Sequence, residues 1–419
     1  MNLGLVSLLA LLLAIALGFL KQTNVGIVCM GFAMVVGLIY GVPMKEIMSG
    51  FSSSLFIQMV GITYLFAVIN GNGTLTILAN KAVGLVGKKK HLIPFVMFII
   101  GYIICAVGPG AIPSLAIIPV LAVPVAVSAG LNPIMVSLIG QMGVQAARMS
   151  SLTPEAVVVK ELMEAQGLVG DTFPIGLCLL ITELCLAAIV YIYYKGWKVN
   201  GKAAAVANEE AKIGKNQIFS LIGLIVLVVG VLFFSWNVGL TGFLIGSILI
   251  MIGAGEEKKA VNGVPWNVIL MVLGVGILMN IISFTGGIDI MVAALEKIMG
   301  EKTAVAVMSV TAGVMSFFSS GLGVVFSTLI PTASGLAAST GANAVQLVAV
   351  IVVGGTVTGF SPISTAGALI MAAVSGDKDA SEKNPQNKMF IELFGVAFVA
   401  LAVLFILSIL GVYGVLTSL

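Results

Sequence analysis

Long apolar runs, separated by short polar or glycine-rich breaks, cover the chain from end to end. Ten of them are about 16 to 24 residues long, the length that an α-helix needs to cross the hydrocarbon core of a bilayer. They predict transmembrane helices at 3–20, 25–40, 51–69, 132–147, 173–194, 217–234, 238–253, 265–284, 343–358 and 390–413. The predicted fold class is therefore an all-α membrane protein with ten transmembrane segments.

Two further apolar stretches, 91–130 and 303–341, are interrupted near their centres by glycine, proline and serine. Each has the length of two short helices that meet at a polar tip inside the membrane, so each predicts a re-entrant hairpin. The tips comprise Gly108 to Ser114 and Ser319 to Gly323. A lone tip is also compatible with a kink that only helps two helices to pack. Because the interruption occurs at matching places in both halves, a binding role is favoured.

Two of the spans are interrupted as well. Residues 140–154 and 354–365 combine small, hydroxyl and amide side chains with Pro154 and Pro362, which cannot continue a helix. Hydroxyl groups beside such a break can replace the lost backbone partners or coordinate a ligand. Together with the hairpin tips, the breaks supply the predicted substrate-binding residues, which are Pro113, Ser114, Gln141, Gln145, Arg148, Ser150, Ser151, Ser319, Ser320, Gly321, Thr358, Ser361, Ser364 and Thr365.

The same order of elements occurs twice: three spans, a surface helix, a hairpin, an interrupted span and a final span. Residues 70–87 resemble 284–300 at an offset of 213 to 214, and 148–159 match 359–370 at an offset of 211. The first repeat, 1–194, has its scaffold spans at 3–70, its hairpin at 91–130, its interrupted span at 132–165 and its last span at 173–194. After a cytoplasmic linker at 195–216, the second repeat, 217–419, has the corresponding parts at 217–285, 303–341, 343–375 and 389–416. With five spans in each half, the two repeats have opposite topology, which is typical of secondary transporters.

The lysines predict the orientation. If each hairpin returns to the side it left, fifteen of the 20 basic residues fall on one side, namely Lys21, Lys81, Lys88, Lys89, Lys90, Lys195, Lys198, Lys202, Lys212, Lys215, Lys258, Lys259, Lys378, Lys383 and Lys388. The opposite side has Lys45, Lys160, Lys297 and Lys302. By the positive-inside rule the first side is cytoplasmic. Both termini are then extracytoplasmic, and the expected location is the inner membrane of the cell.

Composition excludes several classes of function. Of the 419 residues, 59% are hydrophobic and 9% are charged, so no soluble domain is left over. The lysines lie in the loops between apolar runs and are not interleaved with aromatic residues, which argues against nucleic-acid binding. The four cysteines lie in apolar runs without metal-ligand spacing, and no nucleophile with a base can be assembled. We therefore expect no enzyme, no disulfide, no zinc site and no organic cofactor.

Arg148 is the only arginine in the chain and lies at or near membrane depth. Burial there costs about 2.5 to 3.5 kcal/mol unless the guanidinium is paired or hydrated. It is a candidate for a bidentate contact with one carboxylate of a dianionic substrate. Alternatively, it reaches the membrane surface or pairs with Glu155 across the break. Glu183 and Glu392 are candidate proton carriers, although a lone carboxyl in a span is more often hydrogen-bonded between helices or hydrated.

Several stretches resemble the malonate and dicarboxylate carriers of the MatC type. They are 50–56, 63–67, 72–74 and 92–98, and the resemblance covers most of the chain, most clearly 50–154 and 319–369. The layout is also similar to the wider superfamily that includes the divalent anion/sodium symporters. The Gly-Phe-Ser-Pro-Ile-Ser loop of the family is intact at Gly359–Ser364, whereas Arg148–Thr153 departs from it. Both hairpin tips lack the asparagine that is typical of the sodium symporters.

This resemblance implies a homodimer in which a scaffold holds a mobile transport domain that moves as an elevator. It also implies sodium sites at the tips and breaks, at Gly108, Gly110, Ser114, Thr153, Ser319, Gly321, Thr356 and Ser361. The expected function is symport of a small dicarboxylate, such as malonate or a C4-dicarboxylate, with a cation, and sodium is favoured over the proton. Two alternatives are the membrane permease subunit of a binding-protein-dependent carboxylate transporter and an anion channel.

Overall fold

The structure is a computed structural model that describes residues 3–21, 23–75, 77, 89–108, 110–198, 213–234, 236–300, 303–318, 320–362 and 364–418. The surface helix expected at 74–87 falls largely outside these residues, as do positions 199–212 of the linker. The described part of the chain consists of helices and their connections, without a β-strand.

The first half contains nine described helices. They are α1 (Leu3–Lys21), α2 (Val25–Ile39), α3 (Met44–Ser49), α4 (Ser53–Gly71), α5 (Ile93–Ala106), α6 (Ala111–Ala129), α7 (Pro133–Ala146), α8 (Pro154–Glu164) and α9 (Phe173–Tyr193). The hairpin expected at 91–130 corresponds to α5 and α6, which turn at 107–110, and the interrupted span at 132–165 corresponds to α7 and α8.

The second half contains twelve described helices. Its described helices are α10 (Lys215–Phe234), α11 (Val238–Met251), α12 (Glu257–Gly263), α13 (Trp266–Phe284), α14 (Gly287–Glu296), α15 (Ala304–Phe318), α16 (Gly321–Thr340), α17 (Ala344–Val357), α18 (Thr365–Gly376), α19 (Lys378–Lys383), α20 (Gln386–Ile409) and α21 (Val412–Thr417). Helix α16 begins with a π-helical turn at Gly321–Phe326. The last predicted span is not one rod, because Gly411 adopts a left-handed conformation (φ 72°) between α20 and α21.

Asparagine caps begin corresponding helices in the two halves. The Asn24 and Asn237 side chains accept backbone N–H groups at the starts of α2 and α11, at 2.9 and 3.0 Å. Asn132 and Asn343 do the same for α7 and α17, at 2.8 and 3.0 Å. A cap of this kind stabilises a helix start by about 1 kcal/mol. The caps therefore fix where each of these apolar runs becomes helical.

Seven helical runs in the described residues are long and apolar enough to cross a membrane. They are Met44–Gly71, Ala111–Ala129, Phe173–Tyr193, Trp266–Phe284, Gly321–Thr340, Ala344–Gly376 and Gln386–Ile409. Shorter apolar helical stretches lie within α1, α2, α5, α10, α11 and α15. Large apolar side chains such as Leu12, Phe398 and Ile409 are more than half exposed, as expected for surfaces that face lipid. The chain is thus a multi-pass membrane protein.

Helices of the two halves cross at glycines. Helix α4 packs against α11 and α2 packs against α13. A Cβ at Gly61 would strike the backbone of Gly239, and a Cβ at Gly274 would strike the backbone of Gly26. These positions therefore exclude any side chain, which lets the helix axes approach closely. Elsewhere, α5 and α6 pack on α7, and α15 packs on α17, so each hairpin lies against the interrupted span of its own half.

Candidate functional site

The first helix break is tied to the tip of the first hairpin. Between α7 and α8 the chain turns at 147–153, and the Ser150 hydroxyl donates to the Ala106 carbonyl at the end of α5, at 2.7 Å. Thr153 accepts the Ala156 N–H at 3.2 Å and so caps α8. Its hydroxyl also donates to the carbonyl of Arg148 at 2.7 Å. The break is therefore a fixed loop.

The second break is tied to the first arm of the second hairpin. The Thr358 hydroxyl donates to the Gly313 carbonyl of α15 at 2.8 Å, and the Ser316 hydroxyl donates to the Gly355 carbonyl of α17 at 2.9 Å. Helix α18 then begins at Thr365, and its cap residue Ser364 makes no side-chain capping bond. In contrast to α8, α18 therefore has no side-chain acceptor for its first N–H groups at the cap position.

Arg148 reaches from the first break to the second. It is 6% exposed, and its Nη1 donates to Thr356 Oγ1 of α17 at 3.1 Å. The guanidinium carbon lies 5.9 Å from the centre of the Phe326 ring. Its Nε has no hydrogen-bond partner among the described residues. The Gln145 amide also crosses to the Thr356 carbonyl, at 3.4 Å, and its Oε1 has no partner in the described part of the chain.

Glu155 lies behind Arg148. The Oε1 of this carboxyl is 3.8 Å from Arg148 Nε and accepts the Ala111 N–H of α6 at 2.8 Å. Gly110 precedes that N–H with φ 76°, and a Cβ there would collide with the Glu155 carboxyl. Glycine is therefore required at this point of the tip. The sequence left several partners open for Arg148, and the structure shows that it pairs with Glu155. The guanidinium also faces a cavity.

The two breaks, the two hairpins and α13 enclose this cavity, which measures about 80 Å³. It is lined by Ile112, Leu115, Gln145, Arg148, Val268, Ser316, Ser320, Gly321, Gly355, Thr356, Gly359, Ser364, Thr365 and Ala366. Polar groups therefore converge from both halves on one small space.

Comparison with known proteins identifies the class of the molecule. Residues 1–148 match the family model described as "Dicarboxylate carrier protein MatC N-terminus", and residues 240–418 match the one described as "Citrate transporter". The chain is thus similar to MatC-type carriers over its N-terminal part and to citrate transporters over its C-terminal part. Both models describe carriers of carboxylate anions, so this protein is a membrane transporter of that class and not an enzyme.

A solved structure has a similar fold. The crystal structure of the YdaH transporter of Alcanivorax borkumensis is 12% identical, with a TM-score of 0.55 over 90% of this chain and 89% of that one. At this identity the likeness concerns the fold alone. A search of curated proteins finds no significant match.

The cavity of the carrier includes six of the predicted substrate residues, namely Gln145, Arg148, Ser320, Gly321, Ser364 and Thr365. Seven others do not line it, namely Pro113, Ser114, Gln141, Ser150, Ser151, Thr358 and Ser361. Most of these seven hold the framework together: Ser114, for example, donates to the Gly110 carbonyl at 2.7 Å. Ser151 instead lines a second cavity of about 300 Å³ beside α4 and α8. Ser319 lies outside the described residues.

The predicted sodium ligands fall into separate groups in the carrier. Gly321 and Thr356 line the cavity. Gly108 and Gly110 form the first tip. The Thr153 hydroxyl donates to the Arg148 carbonyl in the first break. Ser361 is buried, and its hydroxyl has no partner among the described residues.

Several lining residues of the carrier were not among the predicted site residues. Ser316 lies on α15, four positions before Ser320, and this closeness in sequence is a signal that could have indicated it. Val268 is one apolar residue in an apolar span, so no sequence signal distinguishes it. Leu115 is equally unmarked, whereas Ile112 and Gly355 lie in the predicted tip and break but were not named as site residues.

Of the two candidate proton carriers, Glu392 is hydrogen-bonded between helices. It accepts the Tyr194 hydroxyl at 2.8 Å and lies 3.7 Å from Lys388. Glu183 is fully buried in α9, and neither of its oxygens has a hydrogen-bond partner in the described residues.

Proposed function

We propose that this carrier imports a small dicarboxylate, such as malonate or a C4-dicarboxylate, by symport with a cation across the inner membrane. The observation that carries the proposal is the cavity at which Arg148, two hairpin tips and two helix breaks meet. A space of about 80 Å³ favours a short dianion over a larger metabolite.

Two groups in the cavity suit the two ends of such a dianion. Arg148 lines the cavity and can hold one carboxylate by a charge-assisted contact. Ser364, Thr365 and Ala366 form the start of α18, where the Ser364 side chain provides no cap. A helix start of this kind is positively polarised and can receive the second carboxylate.

The reciprocal glycine contacts support an inverted repeat with boundaries at 1–194 and 217–419. Gly26 and Gly239 are 213 positions apart, and so are Gly61 and Gly274. Gly61 meets Gly239 and Gly274 meets Gly26, so each contact is repeated with the halves exchanged. This pattern is the signature of a two-fold relation between two copies of one module. We retain ten spans, five in each half, as part of this proposal.

In an elevator mechanism, the helices that line the substrate cavity move as one unit against a fixed scaffold. The helices of this chain divide into two such groups. We assign the spans at 3–70 and 217–285 to a scaffold that forms a homodimer, and the hairpins with the segments after them to the transport domain. On one side, Ser52 donates to Glu161 Oε2 at 2.9 Å and joins α4 of the scaffold to α8. Gln58 donates to Glu161 Oε1 at 3.4 Å. Movement of the transport domain would break these contacts.

Sodium remains the favoured coupling ion. Carbonyl and hydroxyl oxygens at the two tips and breaks would bind it and order the same loops that receive the anion. Neither ligand would then bind well alone, which is the thermodynamic requirement for symport.

Uptake into proteoliposomes tests the proposal. We expect the purified chain alone to accumulate labelled malonate when an inward sodium gradient is imposed, with a rate that saturates with malonate. A proton gradient without sodium identifies the alternative coupling ion. A rate indifferent to both gradients rules out symport, a silent chain favours a permease that needs a soluble partner, and a flux that never saturates favours a channel.

A further inference from the structure

The charge of the cavity is set by two side chains rather than one. Arg148 is the one buried cation among the described residues, and it faces the cavity. The Glu155 carboxyl is 1% exposed, lies 3.8 Å behind the guanidinium and is not part of the cavity wall. A substrate in the cavity therefore contacts the guanidinium of Arg148 directly. The Glu155 carboxylate acts on that substrate only electrostatically, from behind the guanidinium.

Glu155 has a backbone partner besides Arg148, and its Oε2 has no hydrogen-bond partner among the described residues. Its Oε1 accepts the Ala111 N–H, which is the first N–H of α6, at 2.8 Å. Glu155 itself is the second residue of α8. Its carboxylate thus lies at the positive ends of two helices, which stabilise its charge. When Arg148 turns to a substrate, this negative charge stays where it is.

The pair is confined to the first break. At the repeat offset of 211, the positions that correspond to Arg148 and Glu155 are Gly359 and Ala366, which carry no charge. Both of these second-half residues line the cavity. The second break therefore supplies backbone groups and space, and the first supplies a cation together with its own counter-charge.

We propose that Glu155 determines which substrates the carrier accepts, because its fixed negative charge behind Arg148 restricts the cavity to anions of low charge. The inference rests on the proposed function and sharpens it. The two family models name a dicarboxylate and citrate, a tricarboxylate. A cavity whose single cation is already neutralised gains little from a third carboxylate and suffers its repulsion, so dicarboxylates are accepted and tricarboxylates are rejected.

Glutarate and tricarballylate test the inference, because both have three carbons between their terminal carboxylates and differ by one carboxylate. Their dissociation constants are measured by calorimetry on the full chain in lipid nanodiscs, at fixed sodium and at a pH where every probe carboxyl is ionised. The variant is Glu155→Gln, whose amide oxygen can still accept the Ala111 N–H. Glu164→Gln is the matched control, since Glu164 lies on the same helix with a side chain that is 58% exposed.

We expect the wild-type chain and Glu164→Gln to bind glutarate more tightly than tricarballylate. In Glu155→Gln the affinity for tricarballylate should rise by about tenfold or more relative to glutarate, as expected for removing one nearby charge in a partly buried site. Glu155→Asp, which keeps the charge, should retain the wild-type preference.

An unchanged ratio in folded Glu155→Gln overturns the inference, and so does weaker binding of both probes, which would mean that Glu155 only positions Arg148. If Glu155→Gln does not fold, the two dissociation constants of the wild-type chain decide. Tighter binding of tricarballylate than of glutarate is incompatible with the inference. Absence of all dicarboxylate binding and uptake in the wild-type chain is a different result, since it removes the proposed function itself.

Discussion

At the scale of single residues, Arg148 connects the two halves of the site. Its Nη1 reaches Thr356 while its Nε side faces Glu155. We expect Arg148→Ala to weaken dicarboxylate binding by about a hundredfold, because a buried charge-assisted contact to the substrate is lost. Calorimetry with malonate measures the change.

Arg148→Lys is the conservative control for this prediction. It keeps the positive charge but loses the planar fork, so we expect affinity between those of Arg148→Ala and the wild-type chain. Unaltered affinity in folded Arg148→Ala would remove Arg148 from the binding site.

Chemically distinctive residues could be predicted at this scale, and ordinary ones could not. A lone arginine in an apolar chain must have a function or a partner, which is why the sequence indicated both the cavity and Glu155. Thr358 and Ser150 have the same hydroxyl chemistry as Ser364, but their hydroxyls donate to the Gly313 and Ala106 carbonyls instead of facing the cavity. Whether a hydroxyl faces the cavity depends on whether a backbone carbonyl lies within hydrogen-bond distance of it. The sequence alone does not give the distance between a hydroxyl and a carbonyl.

At the scale of helices, glycines control how closely the halves approach. A Cβ at Gly26 would strike the backbone of Leu270 and Met271 in α13. We expect Gly26→Ala to destabilise the protein by about 1 to 3 kcal/mol, because the helices must separate to accommodate the methyl group. Gly239→Ala should behave alike, since its Cβ would meet the backbone of Ile57 and Gln58 in α4.

Gly31 provides the matched control on α2, because no atom lies within 4 Å of the Cβ position. Gly31→Ala should leave the melting temperature in detergent unchanged or slightly raised, since alanine favours a helix. Equal melting temperatures for Gly26→Ala and Gly31→Ala would contradict the close crossing.

Apolar length predicts that a helix exists but not how it ends. The spans at 173–194 and 265–284 differ from α9 and α13 by one residue at most at each end. Gly411 divides the predicted span at 389–416, because a glycine inside an apolar run can be either a helical residue or a left-handed stop. The π-helical start of α16 was equally hidden, since no residue type marks its i to i+5 bond, in which the Val325 N–H donates to the Ser320 carbonyl at 3.1 Å.

At the scale of the whole molecule, the lysine distribution predicts which loops face the cytoplasm. Val169, between α8 and α9, is 95% exposed and belongs to the predicted outer side. Lys258, on α12, is exposed and belongs to the predicted cytoplasmic side. In a chain without its native cysteines, Val169→Cys should react with a membrane-impermeant thiol reagent on intact cells. Lys258→Cys should react only after permeabilisation, and the reverse pattern would invert the orientation.

The reciprocal glycine crossings have a consequence for the origin of the chain. A contact that is identical after exchange of its two sides needs only one kind of building block. A peptide of half this length, inserted into the membrane in both directions, would make both crossings with a second copy of itself. Under the proposed repeat, joining two copies into one gene would let the halves diverge, and Arg148 with Glu155 in one half against Gly359 and Ala366 in the other would be such a divergence.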